Sequence, residues 1–122
     1  MANELTLNVS TNLAPTGLTA FARTWAASMG IDLSTATFTH NVQTVGTSEE
    51  AILKGDVSTP GYFIAVNLDG TNVVSIRSGT GGTNMVKLMP GKVCVFMFAS
   101  TDPFWIADTG SCRVEYLLVP AS

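Results

Sequence analysis

Charged side chains are scarce in this sequence, and the basic ones never cluster. Asp, Glu, Lys and Arg together make up 12% of the 122 residues, about half of the usual share, and the net charge is −3. The six basic residues occur singly along the chain, whereas a phosphate-binding face needs several of them together. We therefore expect no direct nucleic-acid partner.

The residue types that carry most catalytic and metal-binding chemistry are equally scarce. His40 is the only histidine and no nucleophile signature accompanies it, so a structural or surface role is favoured over a Ser-His-Asp site. Cys94 and Cys112 lack the Cys-x-x-Cys spacing with which His40 would form a zinc site. Glu49 and Glu50 are adjacent, so on a strand they point to opposite faces. We expect no enzyme, no catalytic residue, no metal and no cofactor.

Long apolar runs are missing too, although apolar residues are common. Hydrophobic residues make up 46% of the chain and the mean hydropathy is +0.33, yet no apolar run approaches the ~20 residues that span a bilayer. Residues 1–5 lack the basic start and apolar block of a signal peptide. We therefore expect no membrane association, and reduced thiols at Cys94 and Cys112. A disulfide between Cys94 and Cys112 remains an alternative, if their strands are neighbours.

An apolar chain with so few charges admits two explanations. Either partners cover much of its surface, or the abundant Thr, Ser and Asn side chains make that surface polar. Composition alone does not decide between the two.

Alternating apolar and polar residues, which indicate strands, are what the sequence has in abundance. Residues 61–76 predict two strands joined at Asp69-Gly70, because an Asp-Gly pair between apolar runs is a strong hairpin signal. Residues 86–89 and 93–98 predict a second hairpin around Pro90-Gly91. We take these hairpins as the antiparallel core of the fold.

The rest of the chain predicts further short strands. Leu5, Leu7 and Val9 alternate with polar residues in a half-buried strand at residues 3–9, and a loop is expected at residues 10–17. The remaining strand or turn segments are residues 18–28, 37–45, 49–53, 106–107 and 113–119. The first of these is alanine-rich, so a short helix competes there with a strand, and Met29-Gly30 is expected to turn the chain.

Most aromatic residues fall in these alternating segments, and core packing is favoured for them over an exposed sugar-binding platform. Phe104 and Trp105, which follow Pro103, are the pair that we expect to be partly exposed. For this pair, a contact between subunits and a place in the core both stay open.

About eight short strands separated by turn residues predict an all-β fold in a single domain over residues 1–122. Strands at this spacing are typical of an antiparallel β-sandwich or a jelly roll. No helix longer than about three turns is expected.

Four phrases, in this order, resemble a group of small virion proteins of tailed bacteriophages. They are QTVGTSEEAI at residues 43–52, GYFIAVNLDGTNVV at 61–74, LMPGK at 88–92 followed by Val95-Phe96, and VEYLL at 114–118. The resemblance covers about residues 37–119. It does not reach residues 1–36, which we interpret as a more divergent part and a candidate N-terminal arm.

The resemblance implies a structural protein with a jelly-roll-like β-sandwich. It implies a head-decoration (cement) protein that is made in the host cytoplasm and binds the outer surface of the major capsid protein lattice, as a homo-oligomer for which we expect a trimer. Candidate contact residues are Leu5, Leu7, Phe104 and Trp105. A neck, tail or fibre module is the alternative within the virion, and a carbohydrate-binding module for host adhesion is the alternative from another class.

Overall fold

The computed structural model describes residues 5–17, 19–33, 35, 37–99 and 102–120. These residues form ten β-strands and no helix, so the all-β prediction is confirmed. The chain divides into two compact units, one of residues 1–36 with the last residue and one of residues 37–121. The strands are β1 (Leu5–Leu13), β2 (Phe21–Ile31), β3 (Thr39–Val45), β4 (Glu50–Ala51), β5 (Pro60–Asn67), β6 (Val74–Arg77), β7 (Asn84–Leu88), β8 (Val93–Met97), β9 (Phe104–Ala107) and β10 (Cys112–Pro120).

The N-terminal unit is a two-stranded antiparallel ribbon of β1 and β2. β1 continues to Leu13, through residues predicted to be a loop, because each of these residues pairs with one on β2. β2 likewise runs through Met29 and Gly30, where a turn was expected. The irregularity lies instead around Asn8, whose side-chain carbonyl accepts a hydrogen bond from the backbone N–H of Ser28 at 2.7 Å.

The second unit is a β-sandwich of two four-stranded antiparallel sheets. Sheet I has the strand order β3-β10-β5-β8, and sheet II has the order β4-β9-β6-β7. Alternate residues of β5 and β10 face sheet II and are buried, as the period of a strand requires. The antiparallel β-sandwich predicted from the sequence is therefore present in the described residues of the second unit, 37–99 and 102–120.

The predicted hairpin at Asp69-Gly70 is wrong, because β5 lies in sheet I and β6 lies in sheet II. Gly70 does not adopt the positive φ that a primed hairpin turn needs. Asp69 instead uses its carboxylate, which accepts hydrogen bonds from the backbone N–H groups of Thr71 at 2.9 Å and Asn72 at 2.7 Å. An Asx turn of this kind starts a crossing between the sheets.

The hairpin predicted around Pro90-Gly91 is wrong for the same reason, although the turn itself is present. The backbone N–H of Lys92 donates to the carbonyl of Met89 at 3.1 Å, and Gly91 has φ 69°. Proline followed by a glycine with positive φ is the pattern of a type II turn. This turn carries the chain from β7 in sheet II to β8 in sheet I.

The sandwich core is an aromatic cluster contributed by both sheets. Phe63 in sheet I packs on Trp105 of sheet II and on Tyr116, with ring centroids 6.2 and 5.6 Å away. All three side chains are buried, and Phe96 and Phe98 pack against Phe63 from β8 and the segment after it. The Tyr116 hydroxyl donates to the carbonyl of Leu53, which satisfies its polar atom, and burial raises the pKa of Tyr116.

Two buried polar side chains fix crossings between the sheets. Gln43 on β3 donates to Glu50 Oε1 at 2.9 Å and to the carbonyl of Ala51 at 3.0 Å, which positions β4. Asn67 at the end of β5 donates to the carbonyls of Asn72 and Leu88. Because buried amides are costly unless they are paired, these bonds specify where the chain changes sheets.

Candidate interaction surfaces

The residue types capable of catalysis or metal binding include one histidine, two cysteines and nine carboxylates. No group of three or more His, Cys, Asp or Glu side chains that could hold a metal ion is found in the described ranges. His40 Nε2 pairs with Glu115 Oε2 at 2.8 Å on an exposed face of the sandwich. Cys94 and Cys112 are both free thiols. Their strands β8 and β10 lie on either side of β5, so they are not neighbours.

Burial keeps both thiols in their neutral form. It raises the pKa of Cys94 to about 11, and it raises the pKa of Cys112 with a further contribution from the charges of Asp69 and Asp108. A neutral thiol is neither a good nucleophile nor a metal ligand. These cysteines therefore behave as small apolar residues of the sandwich.

The adjacent carboxylates Glu49 and Glu50 serve different partners. Glu49 Oε2 lies 2.7 Å from Arg77 Nη1, and its carboxylate also accepts from the backbone N–H of Gly81. The hydrogen bond from Arg77 and the one from Gly81 lower the pKa of Glu49. Glu50 Oε2 accepts from the backbone N–H of Gly46 at 3.0 Å. Both side chains thus tie loops to strands, through different partners.

The outer face of sheet I, turned away from the core, is apolar over most of its area. Its apolar side chains, all exposed or half-buried, are Val42, Tyr62, Ile64, Val66, Val93, Val95, Met97 and Leu117. Strand pairing places them in rows: Ile64 lies opposite both Leu117 and Val95. The polar residues on this face are at the β3 side, where His40 meets Glu115. This face is therefore a candidate interaction surface.

The β8 edge carries the most exposed apolar side chains of this face. Val93, Val95 and Met97 are 63%, 44% and 51% exposed, and β8 contains no polar residue. The intervening Cys94 and Phe96 point inward and pack against the core. The sequence showed the alternation of this strand, but its place at an edge follows only from the strand order.

An apolar cleft of about 240 Å³ opens between β7 and β8, the edge strands of the two sheets. It is lined mainly by Met85, Val86, Phe96, Met97 and Phe98. Met85 is 70% exposed at its mouth. The cleft exists because β7 and β8 are not paired to each other, so the sandwich is open along this side.

The N-terminal ribbon presents an exposed aromatic face of its own. Trp25 and Phe21 are 51% and 49% exposed, so core packing, which was favoured from the sequence for Trp25, is wrong for that residue. Their ring centroids are 6.3 Å apart, and the Arg23 guanidinium lies 4.1 Å from the Trp25 ring centroid. Trp25 Nε1 donates to Thr11 Oγ1 at 3.0 Å, which fixes the indole. The cation–π contact contributes about 0.5–1 kcal/mol at such a site.

The four residues expected to make contacts are not brought together within one unit. Leu5 and Leu7 are half-buried on β1 of the ribbon, opposite Ile31 and Met29. Phe104 is half-buried on β9, whereas Trp105 beside it is fully buried in the sandwich core. Of that aromatic pair, only Phe104 is accessible to a partner.

Comparison of the chain with protein-family models, with curated proteins and with solved structures found no match. The described residues also contain no helix long and apolar enough to cross a membrane.

Proposed function

We propose that this protein is a structural protein of a tailed-bacteriophage virion, and specifically a decoration protein that binds the capsid. The observation that carries the proposal is the outer face of sheet I, which leaves apolar side chains of four neighbouring strands exposed or half-buried. Such a surface suits a subunit that is covered by a protein lattice. The phage setting comes from the four sequence phrases that resemble virion proteins.

The proposal includes a finer description of the fold as a jelly roll. β3 pairs with β10, β4 with β9, β5 with β8 and β6 with β7, all antiparallel. These nested pairs are what results when one long antiparallel hairpin is rolled into two sheets. Jelly rolls of eight strands occur in viral capsid proteins and in lectins. Because a fold by itself does not determine a function, the surface rather than the topology supports the decoration role.

In this role no bond is made or broken. The protein would bind the major capsid protein only in its assembled lattice, and selective binding to one state stabilises that state by mass action, by about 2.7 kcal/mol at a free concentration of 100 times Kd. We propose a trimer as the binding form, since three-fold symmetry matches the lattice and three linked contacts add avidity. Leu5, Leu7 and Phe104 remain candidates for these contacts.

The experiment is binding to purified heads of the phage that encodes the protein. Ile64→Lys, at the centre of the outer face, removes an apolar contact of about 1.5–3 kcal/mol, so co-sedimentation should weaken at least tenfold. Met85→Lys, which adds the same charge on β7 of sheet II, is the matched control and should bind as the wild type does. Absence of the chain from purified virions would refute the proposal. Binding of Ile64→Lys as strong as that of Met85→Lys and the wild type would refute the role of this face.

Two other functions give different results in the same system. A neck, tail or fibre module would be found in virions at far lower copy number than a decoration protein. A carbohydrate-binding module for host adhesion is favoured by one observation, the exposed Trp25 beside Phe21 on the ribbon, since aromatic faces stack on apolar surfaces. Binding to a glycan array that is lost in Trp25→Ala and kept in Ile64→Lys would support that function instead.

A further inference from the structure

The sandwich has four edge strands, and three of them carry features that prevent pairing with another chain. β4 is only two residues long. β7 contains Lys87, and its pairing with β6 has a register shift. β3 consists mostly of polar residues, including His40. Short length, charge and bulges are the usual means by which edge strands avoid association, and a polar strand such as β3 would bury little apolar surface on pairing.

β8 has none of these features. Its sequence, Val-Cys-Val-Phe-Met, contains no charge, no polar residue and no proline, and its pairing with β5 is regular. The backbone N–H of Asn67 donates to the carbonyl of Lys92, and that of Phe98 donates to the carbonyl of Gly61. In an antiparallel ladder this register points the backbone N–H and C=O groups of every second residue of β8 toward β5. The same groups of Val93, Val95 and Met97 point toward the open edge.

We propose that β8 pairs in antiparallel fashion with β8 of a second copy of this chain, about a two-fold axis at Val95. The N–H groups of Val93, Val95 and Met97 would then donate to C=O groups of the second copy, and their C=O groups would accept from its N–H groups. Val95 faces Val95, and Val93 faces Met97 of the second copy. The two sheets I join into one continuous sheet, with both outer faces on the same side.

A second copy of the chain is the partner that suits the β8 edge, because this uncharged apolar edge is complementary to itself. In an interface with two-fold symmetry, only a residue on the axis lies opposite its own equivalent, so a charge at the centre would meet a like charge. β8 carries no charge that could do so. Its exposed side chains are all apolar, so every cross-strand pair formed about Val95 is apolar. The apolar cleft between β7 and β8 opens at this same edge, so pairing also covers it.

The contact is independent of what the outer face binds. An isologous contact closes at two copies, and the three-fold contact proposed for the head would form through another surface, in the lattice-bound protein. The inference therefore predicts that the native mass is an even multiple of the 12.8 kDa chain.

The test is the mass of the full chain by light scattering coupled to size exclusion. Val95→Lys should halve the mass, because two lysines would meet at the axis. Val95→Pro should halve it as well, since proline removes a donor that faces away from β5 and is tolerated at such an edge position. Val42→Lys, on the same face but on β3 at the opposite edge, is the matched control and should keep the wild-type mass.

Charge reversal makes the test specific for the two-fold axis. Val95→Lys and Val95→Glu should each show half the wild-type mass alone, and their mixture should recover the full mass because opposite charges then meet. A wild-type mass that is an odd multiple of the chain, or one that Val95→Lys leaves unchanged, would overturn the inference. If the mixture does not recover the wild-type mass, the inference is also overturned, and a strand other than β8 of a second copy would then be favoured as the partner of β8. Neither result bears on head binding, which is measured separately.

Discussion

Asn67 should be among the most sensitive positions of the sandwich. Its side chain is fully buried and makes three hydrogen bonds: it donates to the carbonyls of Asn72 and Leu88 at 2.9 and 3.1 Å, and it accepts from the backbone N–H of Asp69 at 2.9 Å. These bonds hold the crossing from β5 to β6 and the end of β7. Asn67→Ala removes all three and leaves their partners without replacements.

The magnitude follows from the number of bonds. Each bond contributes about 1 kcal/mol net, and a buried partner left unpaired costs about 1–3 kcal/mol. We therefore expect Asn67→Ala to lower the free energy of unfolding by at least about 3 kcal/mol, a large part of the 5–15 kcal/mol typical of a domain. Urea unfolding should show a lower midpoint with an unchanged slope.

Asn67→Asp keeps the size of the side chain but removes its N–H donors. It therefore separates the effect of the lost hydrogen bonds from the effect of the lost volume. A carboxylate at this position would face two carbonyl oxygens inside the sandwich, so its pKa in the folded state would rise above the unfolded value of about 3.9. The folded state then binds the proton more tightly, and stability falls as the pH rises above that unfolded value. Asn67→Ala lacks this group and should show no such added dependence on pH.

The assay is fluorescence of Trp105 during urea unfolding, in a Trp25→Phe background so that the only tryptophan lies in the sandwich core. Both Asn67 variants are compared with the background protein between pH 4 and pH 8. A loss below about 1 kcal/mol for Asn67→Ala would refute the reasoning that these hydrogen bonds fix the crossing. A difference between Asn67→Asp and Asn67→Ala that does not change with pH would refute the argument on charge burial.

Three further results are expected. Phe63→Ala, which empties the centre of the aromatic cluster, should lower the free energy of unfolding by about 3–5 kcal/mol in the same urea assay, and a loss under about 1 kcal/mol would contradict that packing. Cys94 should resist iodoacetamide at pH 8 in the folded protein, because its pKa is raised to about 11, and it should react after denaturation. Mass spectrometry of the alkylated peptides measures this, and rapid labelling of the native protein would contradict the expectation. Because the pKa of Glu49 is lowered in the folded state, this residue stabilises the fold above the unfolded value near 4.5, and that stability is lost as the pH falls below it. Glu49→Gln should therefore flatten the pH dependence of the free energy of unfolding in this range. An unchanged pH profile would argue against the pair with Arg77.

The sequence by itself determined the class of structure and the local conformation of several segments. Alternation in β5 and β10 indicates strands with one buried face, because the side chains of a strand alternate between its two faces. Pro90-Gly91 determines a type II turn, since proline restricts φ and glycine accepts a positive one. These are properties of neighbouring residues, and they do not depend on which strand lies alongside.

Only the tertiary structure decided which strands pair. The residues at Asp69-Gly70 and Pro90-Gly91 are turn formers both in a hairpin and in a crossing between sheets, so the prediction of hairpins there had no local signal against it. The crossings are determined by distant partners, as when Asn67 bonds to the carbonyl of Leu88. Burial was also decided at this level: Trp105 is enclosed because sheet I covers it, whereas Trp25 lies on a two-stranded ribbon and is half exposed. The edge position of β8 has the same origin, because a strand is an edge only through the absence of a neighbour, which its own residues do not encode.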